Sequence, residues 1–210
     1  MKVHIKICGF TTVDGLRAAI DAGVDSLGLV LDPSPRQLTL DAAIELAAHI
    51  PEHIQTVAVC GRPPQDQVQE IWDRMQPDEI QLMADALPDP SLGLPVIPAF
   101  EDGEDLVDRV KKYVVSSAEA QPLVLADGPK PGSGIVADWG RVEAICSTTR
   151  LMIAGGLNAQ NVGDAIARLR PWGVDVSSGV EHAPGIKSPE KIRAFVAAVR
   201  HAEQLLEKPS

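Results

Sequence analysis

The stretch LMIAGGLNAQNVGDAIARLRPWGVDVSSG, residues 151–179, decides how the chain is read. It opens on an apolar strand pattern, Leu151 to Ala154, that stops at Gly155-Gly156. Leu157 to Asn161 then leads into a helical pattern with Val162, Ala165, Ile166 and Leu169 on one face. A second strand pattern, Gly173 to Val176, stops at Ser177-Ser178-Gly179. Glycine lets backbone approach a ligand closely, and backbone N–H groups at strand-to-helix turns bind phosphate. In a βα barrel the phosphate site sits after strands seven and eight. This reading requires six strand–helix units upstream.

The upstream chain supplies them. Strand patterns run over Val3–Cys8, Ser26–Leu31, Gln55–Cys60, Glu79–Met83, Pro95–Phe100 and Pro122–Asp127. Helical patterns lie between most of them. The first follows a Thr11 or Thr12 cap, carries Val13, Leu16, Ala19 and Ile20, and closes at Gly23. Others start after Thr39, from about Pro64, at Leu106, and near Trp139. Two places are irregular: 84–93 has little periodicity, and Pro98 sits inside the fifth strand. Ser188-Pro189-Glu190 begins a last helix, about 189–207. Eight units of about 25 residues predict an α/β fold, a single-domain (βα)8 TIM barrel over residues 1–210. An open doubly wound sheet would more often carry a Gly-x-Gly-x-x-Gly turn after its first strand. Here that turn, Cys8-Gly9-Phe10-Thr11, has one glycine.

Composition narrows the ligand. Aromatic residues are 3% of the chain, so the core is aliphatic and an aromatic ligand finds few stacking partners. The net charge of −10 argues against nucleic acid or an anionic membrane as partner, but not against a phosphate held by backbone N–H groups. Cys8, Cys60 and Cys146 are far apart and odd in number, which fits free thiols in a reducing, cytoplasmic setting. No stretch approaches the length of a membrane span, and the strand pattern begins directly after Met1-Lys2, so no signal peptide is expected. His53, His182 and His201 show no metal spacing, and no metal is expected. Monomer and homodimer both remain open.

Barrel enzymes place their chemistry at the C-terminal ends of strands. Cys8 ends the first strand, where a thiol serves as base or nucleophile if its pKa is lowered, or is a small buried hydrophobe. Asp127 ends the sixth strand, where a desolvated carboxyl is a general acid; taken alone, Asp before Gly reads first as a helix cap or turn residue. Arg36, just beyond the second strand, can pair bidentately with a carboxylate. Gly155-Gly156 and Ser178-Gly179 read as a phosphate cradle, with Gly132-Ser133-Gly134 as a third wall or a lid hinged on glycine. Cys60 and Cys146 read as structural.

These residues stand in an order that resembles the phosphoribosylanthranilate isomerase family. The resemblance rests on Lys6-Ile7-Cys8-Gly9, Ala22-Gly23 with Gly28, Ser34-Pro35-Arg36, Gln81-Leu82, and Asp127 with Gly132-Ser133-Gly134. It continues through Asp138-Trp139, Ala154-Gly155-Gly156-Leu157 with Asn161-Val162, Val174–Glu181, Pro184-Gly185 and Lys187. It implies a cofactor-free (βα)8 barrel acting on a small sugar phosphate in tryptophan biosynthesis, by an Amadori rearrangement. Cys8 would be the general base and Asp127 the general acid. Arg36 would hold the anthranilate carboxylate, and Gly155, Gly156, Ser178 and Gly179 the phosphate. Gln81, Gly134 and Asp175 would complete the substrate site. The chain departs from the family pattern where histidine-glycine is replaced by Met83-Ala84, an aromatic by Leu31, and lysine by Pro98. These positions fall toward the aglycone, so the same chemistry on another phosphoribosylamine is the alternative. A barrel that only binds a sugar phosphate is a third reading.

Overall fold

The computed structural model describes residues 2–130 and 134–207. Eight parallel strands close in sequence order: β1 (His4–Cys8), β2 (Ser26–Val30), β3 (Gln55–Gly61), β4 (Glu79–Met83), β5 (Val96–Glu101), β6 (Leu123–Asp127), β7 (Arg150–Ile153) and β8 (Gly173–Val176). Each pairs with the next, and β8 returns to β1 with His4 opposite Gly173 and Lys6 opposite Asp175. The helices on the outside are α1 (Val13–Ala22), α2 (Leu40–Ala47), α3 (Gln65–Met75), α4 (Leu106–Ser116), α5 (Trp139–Glu143), α6 (Val162–Leu169) and α7 (Pro189–Glu207).

Local chemistry sets the boundaries. The Thr12 side chain accepts from Gly15 N–H and the Thr39 side chain from Ala42 N–H, each satisfying an orphan donor of its helix. Gly23 ends α1 in the left-handed region, at φ +80. Between β4 and β5 there is no α-helix, only a 3₁₀ turn at Pro90–Leu92, matching the weak periodicity of that stretch. Pro98 fits inside β5 because pairing with β6 begins only at Ala99 and Leu125, so its missing N–H interrupts little of the ladder.

The strand period of two divides the core. Ile5, Ile7, Leu27, Leu29, Ile80, Leu82 and Val174 face the helices in one continuous cluster. A smaller cluster inside the barrel contains Val57, Met83, Ile97, Ala99, Leu123, Leu125, Met152 and Ala154. One feature was not legible in the pattern of apolar residues: an antiparallel hairpin, β9 (Glu181–Ala183) and β10 (Ile186–Lys187), between β8 and α7. It is short and charged, and its turn holds Gly185 at φ +82.

α7 carries the fully buried Phe195 into the outer core, whereas Val115 on α4 is 87% exposed. Phe195→Ala is expected to lower unfolding stability by about 3–5 kcal/mol, and Val115→Ala to change it by less than about 0.5 kcal/mol, both read from urea titrations.

Candidate active site

The C-terminal ends of the strands surround a cleft of about 490 Å³. Cys8, Arg36, Gln81, Asp127, Gly134, Gly155, Gly156, Asp175 and Ser178 all line it. Gly179 lies behind the wall, packed so closely on the Leu157 carbonyl that no Cβ fits there. Gly132 and Ser133, read with Gly134 as a third wall or a lid, lie outside the described residues. Leu31, Met83 and Pro98 do not line this cleft. Leu31 packs on the outer core, and Pro98 lies between the inward residues Ile97 and Ala99. Met83 borders a separate cavity of about 710 Å³ beneath the helix-free stretch after β4. The wall on that side of the cleft is made instead by Val30, Asp32, Pro33 and Val59.

The two titratable groups at β1 and β6 sit in different surroundings. Burial pushes the Asp127 carboxyl up to about 6, against the Gly128 N–H that donates to its Oδ1 at 2.7 Å. Asp175 and Glu101 push the same way, and Lys6 opposes them. Burial also pushes the Cys8 thiol up, against the fields of Lys6, Lys187 and Arg36. Position leaves Cys8 open as a base, if its pKa is lowered, or as a small buried hydrophobe. In the free protein the buried thiol is the favoured form, because desolvation outweighs three nearby cations. Cys60, on the outer side of β3, is pushed by burial to about 12, in keeping with a structural residue.

Glycines make the opposite wall. Gly155 at φ +79 and Gly156 at φ +63 turn the chain after β7 under the loop that follows β6. A Cβ on Gly155 would collide with Gly128 N, and one on Gly156 would stand 2.6 Å from the Gly134 carbonyl. Asn161 fixes the turn by donating to the Gly156 carbonyl at 3.0 Å and accepting from Asn158 N–H at 2.9 Å. The N–H groups of Gly155, Gly156, Ser178 and Gly179 donate to no protein acceptor among the described residues. Unused backbone donors at two adjacent loops are suited to an anion.

Arg36 pairs bidentately with a carboxylate, as its residue type suggested, but the partner is Glu181. Its Nε donates to Oε1 at 2.7 Å and its Nη2 to Oε2 at 2.8 Å. Glu181 also accepts from Lys187 Nζ at 3.0 Å, and Lys187 donates to the Cys8 carbonyl at 2.5 Å and the Ser177 carbonyl at 3.1 Å. Burial opposes ionisation of Glu181, yet Arg36 and Lys187 hold its carboxyl below the usual range. Two cations around one carboxylate leave net positive charge beside the cleft. The hairpin thereby ties the Arg36 loop to the ends of β1 and β8.

A family model for N-(5'-phosphoribosyl)anthranilate isomerase matches residues 5–198. The N-(5'-phosphoribosyl)anthranilate isomerase of Thiobacillus denitrificans is 39% identical over 206 residues, covering 95% of this chain and 99% of that one. The chain belongs to the phosphoribosylanthranilate isomerase family. The phosphoribosylanthranilate isomerase structure from Thermus thermophilus superposes with a TM-score of 0.79 at 30% identity, over 95% of this chain and 99% of that one. A second isomerase structure holds reduced 1-(o-carboxyphenylamino)-1-deoxyribulose 5-phosphate; it matches with a TM-score of 0.80 at 26% identity, over 95% of this chain and all of that one.

Within this isomerase family frame, Lys6, Asp32, Glu181 and Lys187 are cleft or near-cleft residues that the strand-end reading passed over. Lys6 was open to detection, since it lies two residues before Cys8 on an inward face. Glu181 and Lys187 act through a hairpin with no apolar period to reveal it.

Gly28 on β2 faces Cys8: a Cβ there would stand 2.9 Å from Sγ and 3.1 Å from the Cys8 Cα. Gly163 on α6 has open space around it. Gly28→Ala is expected to cut turnover about tenfold or more by displacing the thiol, and Gly163→Ala to leave turnover unchanged, measured as isomerase activity on purified, folded protein.

Proposed function

We propose that this isomerase converts N-(5-phosphoribosyl)anthranilate to 1-(2-carboxyphenylamino)-1-deoxyribulose 5-phosphate, in tryptophan biosynthesis, with Cys8 as general base and Asp127 as general acid. The observation that carries the reading is their arrangement. A carboxyl raised to about 6 ends β6, a thiol ends β1, and both face a cleft whose third side offers unused backbone donors.

The substrate is a ribosylamine closed as a furanose. Asp127 donates its proton to the ring oxygen as the C1–O bond breaks, and the nitrogen lone pair forms the iminium. The iminium acidifies the C2 proton. The Cys8 thiolate removes it, and the C2–H electrons form the C1–C2 double bond of an enolamine. Tautomerisation gives the aminodeoxyketose. The donors at Gly155, Gly156, Ser178 and Gly179 would hold the phosphate and fix the sugar between base and acid. The edge of Arg36 not taken by Glu181 would face the anthranilate carboxylate, and Gln81, Gly134 and Asp175 would border the sugar.

Asp127 ionises below Cys8, so the reactive form, thiolate with carboxylic acid, is the minor arrangement of a pair sharing one proton. Below about pH 6 both groups are protonated and the base is lost. Above the thiol pKa both are ionised and the acid is lost. Turnover as kcat/KM is therefore expected to rise through about pH 6, reach a plateau, and fall at alkaline pH. Asp127→Asn should remove the limb near 6.

A second reading, the same rearrangement on a different phosphoribosylamine, is favoured by Asp32. Its half-buried carboxyl, pushed up by burial, lines the cleft on the side of Arg36. Phosphoribosylanthranilate generated in place loses its fluorescence on rearrangement. Loss on adding the protein supports the first reading; no loss at high protein concentration, with turnover of an uncharged arylamine analogue, supports the second. Cys8→Ser and Asp127→Asn are each expected to cut turnover by about a hundredfold or more while phosphate still binds. Near-full activity in either variant would overturn the role given to that residue.

A further inference from the structure

The isomerase reading gives no role to the most deeply buried charge of the barrel interior. Lys6 is fully buried inside the barrel. It lies two residues before Cys8 on the inward face of β1, and its register partner on β8 is Asp175. Its ammonium stands 3.1 Å from Asp175 Oδ1 as an ion pair, off hydrogen-bond alignment. Neither Lys6 Nζ nor Asp175 Oδ1 has an aligned hydrogen-bond partner among the described residues. A buried ammonium with one poorly aligned partner is costly, and an apolar pair of equal volume would serve folding at least as well. The barrel interior also holds an apolar cluster that includes Val57, Leu125 and Met152, and an apolar side chain at position 6 would extend it.

We propose that Lys6 is a positioning residue for the acid–base pair, its ammonium supplying the positive field that holds the pair's single negative charge on Cys8 or on Asp127. The proposal rests on the reading of those two residues as base and acid. During turnover the charge passes from the thiolate to the carboxylate as protons move to sulfur and to the ring oxygen. A cation acting on both ends steadies the charge before and after that transfer. Burial disfavours the Lys6 ammonium, but Asp175, Cys8 and Asp127 outweigh it and keep the lysine charged. Lys6 favours the ionised form of Cys8 and of Asp127, while Asp175 opposes both. The other charged groups acting on these residues are Lys187 and Arg36 at Cys8, Glu101 at Asp127, and Glu79 and His4 near Lys6 itself.

The experiment measures alkylation of Cys8 by iodoacetamide on the free protein at a fixed, near-neutral pH. Mass spectrometry of the Cys8 peptide separates it from Cys60 and Cys146. Lys6→Met is expected to slow alkylation about tenfold, the effect of one unit in thiol pKa. Asp175→Asn is expected to speed it. Opposite signs follow from charge, whereas a loosened barrel would speed alkylation in both variants. The same sign in both, or no change in either, overturns the proposal. If Lys6→Met does not fold, Lys6→Gln takes its place: slower alkylation supports the field of Lys6, and unchanged or faster alkylation overturns it. In Lys6→Met the acid limb of kcat/KM should also move upward from about 6; an unmoved limb assigns Lys6 a structural role only. Alkylation needs no substrate, so a parent protein that fails to turn over phosphoribosylanthranilate overturns anthranilate as the amine and leaves the alkylation result standing.

Discussion

Closing eight short parallel strands leaves an interior wide enough for side chains and little else. Every inward residue near a strand end therefore meets its counterparts from across the barrel. Cys8 and Asp127 are 119 positions apart in sequence and share one cleft only because β1 joins β8 and completes the ring. The same closure sets Lys6 beside Asp175 beneath them. In an open sheet β1 and β8 would have no such partner edge, and neither the charge pair nor the shared cleft would form.

Burial then divides the labour between the two groups. The same desolvation raises a carboxyl toward neutrality and a thiol away from the thiolate. Asp127 is thereby kept partly protonated near neutral pH, as the acid role proposed for it requires. Cys8 is held mostly as the thiol, and the cations Lys6, Lys187 and Arg36 offset part of that effect. In the roles proposed for Cys8 and Asp127, the shared proton rests on sulfur and turnover draws on the less populated arrangement. The buried Arg36–Glu181–Lys187 cluster adds mechanical order, because one carboxylate anchors the cation beside the cleft while Lys187 grips the carbonyl of the residue proposed as base.

Much of the fold was legible because barrel strands are short runs, apolar or alternating, between strong punctuation. Glu79–Met83 was readable residue for residue, and Thr12, Gly23 and Thr39 mark helix ends that the structure reproduces with hydrogen bonds and a left-handed turn. The close-packed wall at the loops after β7 and β8 was readable from Gly155-Gly156 and Gly179, because a Cβ at any of them would meet neighbouring backbone. The aglycone side was less legible. Leu31, Met83 and Pro98 differ from the family pattern, but side-chain direction at a strand end decides what faces the cleft, and it selects Val30, Asp32 and Gln81. Pairings across long sequence separations, such as Arg36 with Glu181, follow from where the hairpin folds back, which no local period encodes.

The central claim is that one substrate spans the cleft with its reacting carbon between Cys8 and Asp127. A crystal structure of this protein with reduced 1-(o-carboxyphenylamino)-1-deoxyribulose 5-phosphate tests it most directly. The account predicts the phosphate on the N–H groups of Gly155, Gly156, Ser178 and Gly179, with Cys8 Sγ and the Asp127 carboxyl on opposite sides of the sugar chain. Sγ should lie within about 3.5 Å of C2, the distance of a near-attack geometry, and Asp127 beside the oxygen that closes the furanose ring. A ligand whose phosphate sits elsewhere, or whose C2 lies beyond the reach of Cys8, would contradict the account.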